Sequence, residues 1–157
     1  MTARRKLLGD LMGRLTKVPM PELAPNPAVD AELAGLRSRV PGLVGALVAS
    51  SDGLLVTHDL PGRIEPTGMA ALAAAQLSLS DRIAGVAHGG GFQEVVVDGS
   101  HGHVVIYAAG WASLTVLADP DVNIGRLHLE SRPAARRIAG HLAGTARETG
   151  RPNGRSG

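Results

Sequence analysis

Three short groups of residues have types and spacings that chemistry would require. His88-Gly89-Gly90-Gly91 matches the oxyanion-hole tetrapeptide of some esterases, whose backbone N–H groups surround a developing negative charge. That chemistry also needs a nucleophile elbow, and the chain has no G-x-S-x-G; Gly99-Ser100-His101-Gly102 lacks the first glycine. His101 and His103 flank Gly102 and would have to share a metal by themselves, with no acid or third histidine at ligand spacing. They are expected in a solvated turn. Asp119 and Asp121 bracket Pro120, and paired carboxylates can hold a cation or divide acid and base roles. Ahead of a helix, however, they more simply complement its dipole. No Walker A or G-x-G-x-x-G pattern is present to cradle a nucleotide phosphate. The absence of cysteine removes disulfides, thiolate metal sites and cysteine nucleophiles together. The expectation is therefore a non-enzyme, with no catalytic residue, cofactor or metal.

The elements that would carry these groups can be traced along the chain. Asn26-Pro27 is a helix start, because Asn accepts from an orphan N–H and Pro suits the first helical position. Val29, Leu33, Leu36 and Val40 then form one apolar face, which predicts a helix over Ala28–Arg39 that Pro41-Gly42 stops. Leu43–Ser50 is an apolar run of strand length. Ser51-Asp52-Gly53 turns it back along Leu54–His58 as a β-hairpin. Thr67–His88 is an Ala-rich helix with Met69, Leu72, Gln76, Leu79 and Ile83 down one side, ended by the three glycines. Phe92–Val97, His103–Ala108 and Trp111–Ala118 follow as strands joined by short turns, hence an antiparallel meander. Asp121-Val122-Asn123 caps a last helix through Leu142, which Pro133 should kink or split near Arg132. The order is α-β-β-α-β-β-β-α, an α+β domain with a five-stranded antiparallel sheet and helices packed on it.

Only Phe92, Tyr107 and Trp111 are aromatic, so the core must be built from Val, Leu, Ile and Ala. Residues 1–27 read as a basic amphipathic leader, with Leu7, Leu8, Leu11, Met12 and Leu15 at helical spacing, and a Pro-rich linker. Residues 28–144 form the domain, and 145–157 a Gly- and Arg-rich tail expected to be disordered. The net charge of +2 is unevenly spread. Met1 to Lys17 carries +4, Arg126 to Gly157 carries +5, and the stretch between carries −7. An acidic middle disfavours nucleic-acid binding by the domain. No apolar run approaches the length of a membrane span, and Gly9-Asp10 and Gly13-Arg14 interrupt any signal-peptide core, so a cytoplasmic location is expected.

The run Val40-Pro41-Gly42-Leu43-Val44-Gly45-Ala46-Leu47-Val48-Ala49-Ser50-Ser51-Asp52-Gly53-Leu54 resembles the opening of a roadblock (dynein light chain, MglB-like) domain. The Ala-rich second helix, the strand around Gln93-Glu94-Val95-Val96-Val97, and Asn123-Ile124-Gly125-Arg126-Leu127 at the start of the closing helix are similar too. The resemblance spans about Val29 to Leu142. It implies a dimer, homotypic or with a paralogous subunit, whose seam is the second helix and third strand. The residues expected there are Met69, Leu72, Ala73, Gln76, Leu79, Ser80, Phe92, Glu94 and Val96. It further implies a regulator or scaffold for a small Ras-like GTPase. The alternative on the residues alone is an adaptor docking on a membrane or DNA through its basic ends, with the leader lying on an anionic surface.

Overall fold

The computed structural model describes residues 24–149, with side chains through Thr145. The leader and most of the Pro-rich linker lie outside the described residues.

The first helix, α1 (Pro27–Arg39), begins one residue earlier than expected because Pro27 occupies its first turn. Asn26 caps it, its Oδ1 accepting from the Val29 N–H at 3.3 Å. Strands β1 (Leu43–Ser50) and β2 (Leu55–Asp59) form the hairpin. Gly53 sits in its turn at φ 90°, a left-handed conformation that a Cβ would strain. The second helix, α2 (Pro66–His88), is capped by Glu65, whose carboxylate accepts from the N–H groups of Thr67 and Gly68. Gly89 closes it at φ 70°. The glycines after His88 are thus a helix terminus. Strands β3 (Glu94–Gly99), β4 (Gly102–Ala109) and β5 (Ala112–Ala118) form the meander, and α3 (Ile124–Thr149) completes the domain.

The strand order is β2-β1-β5-β4-β3, with every neighbour antiparallel. β1, β5 and β4 lie inside, while β2 and β3 are the two edges. That makes Phe92–Val97, apolar enough to be central, part of an edge instead, starting at Glu94 and largely exposed.

Alternation along the strands divides the residues between two faces. On one face Ala46, Val48, Val105, Tyr107, Leu114 and Val116 pack against α1 (Val29, Leu33, Leu36) and α3 (Leu127, Ala134, Ile138, Leu142) in a single core. Burying each Leu or Ile contributes about 1.5–3 kcal/mol, so this face holds most of the fold together. On the other face lies α2, where the buried cluster is only Leu47, Ala49 and Ala70, flanked by Leu55, Leu60 and Met69. Thr115 stands opposite Leu47 and Ser113 opposite Ala49 in the β1–β5 register, both fully buried.

Two expectations for the last helix are corrected. Pro133 does not split it; α3 runs through Pro133 to Thr149. A proline removes one N–H, so the bond lost is the one to the Leu129 carbonyl. Leu129 is 71% exposed, so the lost bond falls on the outer side of the helix. The helix also continues past Thr145, where the tail was expected to start; residues 150–157 lie outside the described residues.

Candidate interaction surface

α2 has two unlike sides. Ala70, Ala73 and Ala74 are its buried residues, and their small side chains let the helix lie close on the sheet. About half a helical turn away run Leu72, Leu79, Ile83 and Val86, exposed by 67%, 55%, 59% and 91%. With Gln76 they step along α2 at spacings that alternate between four and three residues, the pattern of a helix–helix seam. Gln76 is half-buried, and its Nε2 donates to Ser80 Oγ one turn on at 3.0 Å. A row of bulky apolar side chains facing water on a regular helix is costly in an isolated protomer.

β3 adds an open edge. Among the described residues only β4 pairs with it, so its outer N–H and C=O groups have no strand partner there. Val96 and Val97 are 43% and 44% exposed and point to opposite faces of the sheet.

The expected seam residues therefore fall in different places. Leu72 and Leu79 lie on the exposed row. Gln76 and Ser80 lie beside it. Ala73 is 1% exposed against the sheet and supports the helix from beneath. Met69 packs against the small cluster under α2. Phe92 is half-buried, its N–H donating to Asp81 Oδ1 at 3.1 Å. Val96 is on the edge strand. Glu94 is on β3 but turned to the α3 side: Arg132 Nε donates to its Oε2 at 2.8 Å and Arg132 Nη2 to its Oε1. Val86 was missed from the sequence, although it stands seven residues after Leu79 as Leu79 stands after Leu72.

A polar knot lies beneath the first residues of β3. Tyr107, 2% exposed, is bonded through its OH to His128 Nδ1 at 2.8 Å, and His128 Nδ1 is 3.6 Å from Glu94 Oε1. Burial pushes the Tyr107 hydroxyl up to about 12. The hydrogen bonds from Arg132 hold the Glu94 carboxyl below the ordinary carboxylate range, with burial opposing and the charges of His128 and Arg132 adding to the effect. An open groove of about 380 Å³ adjoins this knot, lined by Gln93, Glu94, Tyr107, Arg132 and Arg136 among others.

The other candidates take structural places. His103 belongs to β4 and not to a solvated turn: its side chain is 15% exposed, with Nδ1 3.0 Å from Asp98 and Nε2 3.3 Å from the Pro120 carbonyl. His101 Nδ1 is bonded to Ser100 Oγ at 2.8 Å. Asp119 and Asp121 are exposed; Asn123 caps α3, accepting from the Arg126 N–H at 2.9 Å. Arg132 and Arg137 pair with Glu94 and Glu32. Among the described residues, no group of three His, Cys, Asp or Glu side chains could hold a metal ion.

Residues 29–118 match the family model of the Roadblock/LC7 domain, more than half of the chain. The chain belongs to the Roadblock/LC7 family. A Roadblock/LC7 domain from Streptomyces avermitilis is 29% identical and superposes with a TM-score of 0.67, over 73% of this chain and 97% of that one. An uncharacterised protein of Methanocaldococcus jannaschii is 30% identical over 101 residues, covering 64% of this chain and 89% of its own length. The gliding protein MglB of Thermus thermophilus shares the roadblock fold with a TM-score of 0.68 at 20% identity, over 78% of this chain and 93% of that one.

Proposed function

We propose that this roadblock domain is a non-catalytic, dimeric regulator or scaffold that holds a small Ras-like GTPase. The observation that carries the proposal is the exposed row Leu72, Leu79, Ile83 and Val86 on α2, in a protomer that also leaves the β3 edge open. A second copy, or a paralogous subunit, covers the row by helix pairing and the edge by strand pairing. Both contacts use groups that the protomer leaves unsatisfied, and neither requires the core to change. The GTPase rests on what the roadblock resemblance implies. The part of the protein is that of a platform, since a platform needs shape and apolar area and not an acid, a base or a nucleophile.

The test is complex formation between the purified full chain and small GTPases encoded near it, each loaded with GDP or with a non-hydrolysable GTP analogue. The expected result is a complex whose affinity depends on the nucleotide and falls with Leu79→Glu. Equal and negligible binding in both nucleotide states, for every such GTPase, overturns the GTPase part of the proposal and leaves the dimer to be judged by its mass.

A further inference from the structure

The open groove beside the buried Tyr107–His128 pair has a lining of its own chemistry. Arg132 and Arg136 line it from α3, and Gln93 and Glu94 from the start of β3. Ala108 and Ala135 add to the lining, and their side chains are too small to fill the space. Its volume of about 380 Å³ is within the range of small-ligand sites, about 300–1,000 Å³.

The donors come from α3. Arg132 and Arg136 stand one helical turn apart, near enough for two like charges to repel. Arg132 spends Nε and Nη2 on Glu94, and its Nη1 makes no hydrogen bond among the described residues. Arg136 is exposed and makes neither a hydrogen bond nor an ion pair among them. The acceptor stands opposite. The Glu94 side chain is 22% exposed, and its two oxygens keep lone-pair capacity beyond the bonds from Arg132. Those bonds hold its carboxyl below the ordinary range, so it is an acceptor at neutral pH. Two guanidinium groups and one carboxylate give the groove a net charge of +1.

We propose that this groove captures the C-terminal end of a polypeptide. The terminal carboxylate is held by Arg136 and the remaining nitrogen of Arg132, and the last amide N–H by Glu94. A carboxylate brings the single negative charge that balances the groove, and its plane matches the guanidinium fork. A phosphate monoester brings nearly two negative charges beside Glu94, which repels the second. A bare organic acid leaves the acceptor at Glu94 unused. A chain end carries both the acid and an adjacent N–H donor, and the open side of the groove lets the rest of the chain leave into solvent. The groove lies on the α3 side of the sheet and the apolar row on α2, so the proposal does not depend on the GTPase.

Nuclear magnetic resonance titration of the isotope-labelled full chain with N-acetyl-alanyl-alanine tests it. The controls are the same peptide amidated at its C-terminus, sodium acetate and inorganic phosphate, all at one ionic strength. The expected result is saturation at about millimolar peptide, an ordinary strength for a ligand of about fourteen non-hydrogen atoms. The shifted amides should be those of Gln93, Glu94, Ala108 and the α3 turn from Arg132 to Arg136. The amidated peptide and acetate should each bind at least about tenfold more weakly. Arg136→Gln should weaken the peptide about tenfold and leave thermal stability unchanged, since no bond within the described residues is lost. Any of four results overturns the proposal: the amidated peptide or acetate binding as tightly as the free acid, phosphate binding more tightly, Arg136→Gln binding as the parent does, or shifts centred elsewhere on the domain.

Discussion

The two faces of the sheet are built on different principles. Beneath α1 and α3 a continuous core runs from Val29 to Leu142, and ion pairs fasten its rim: Arg137 to Glu32, Arg39 to Glu130, Arg132 to Glu94. Beneath α2 the buried cluster shrinks to Leu47, Ala49 and Ala70 with Met69 at its flank, and Leu72, Leu79, Ile83 and Val86 face away. The first face closes on itself. The second leaves those four side chains exposed. The same apolar residue types thus serve stability on one side and, in the function proposed above, association on the other, and burial in the protomer tells them apart.

The largest predicted effect tests that division directly. Ile138→Ala, in the closed core, should lower the free energy of unfolding by about 2–5 kcal/mol. Leu79→Ala, on the open side, should change protomer stability by no more than about 0.5 kcal/mol when measured well below the dimer dissociation constant. Urea unfolding followed by the fluorescence of Trp111, the one tryptophan, measures both. Equal losses would erase the difference between the faces.

A second, smaller effect probes the closed face at high pH. Tyr107 is the one tyrosine of the chain, so its ultraviolet titration reports a single group. Burial pushes its folded pKa up from the ordinary 10.0 to about 12. A raised pKa means that the folded state keeps a proton the unfolded chain releases. Stability from this burial is therefore full below pH 10 and is lost as pH rises toward 12. Tyrosinate absorbance should appear only near pH 12 or with unfolding. A free titration near pH 10 in the folded protein would contradict the packing described.

The smallest effect concerns Glu94 and its pair with Arg132. Its carboxyl is held below 4.5, so the pair contributes above the unfolded pKa and is lost as pH falls through the depressed folded value. Glu94→Gln should flatten the acid limb of a thermal stability profile and leave stability near neutrality little changed, because Arg132 is half exposed. An acid limb as steep as that of the parent would remove the pair from the account.

Much of this was legible in the residues. The cap at Asn26, the turn at Gly53 and the glycine stop after His88 are local chemistry, and local chemistry is written in the order of the chain. The side of α2 that meets the sheet was not. Met69, Leu72, Gln76, Leu79 and Ile83 form the bulkier side, and bulk ordinarily points inward, yet of these only Met69 packs against the cluster under α2. Here Ala70, Ala73 and Ala74 point inward, because a sheet face carrying Ser113 and Thr115 accepts a close helix. Periodicity marks an apolar side without saying whether the chain itself or another chain covers it. The edge position of β3 was hidden for the same reason. Val95, Val96 and Val97 have the composition of a central strand, and only the pairing order shows that no strand among the described residues lies beyond them. The contact between Asn26 and Thr145, 119 residues apart, is likewise one that no local pattern foretells.

The proposed dimer requires that a second subunit cover the exposed row on α2. Light scattering coupled to size exclusion at micromolar concentration measures this without a label. The parent chain should have twice the mass of a 16.1 kDa protomer. Leu79→Glu, which places a charge in the exposed row, should weaken self-association by at least about thirtyfold and return a folded protomer. A parent chain that elutes as a folded particle of 16.1 kDa would contradict it.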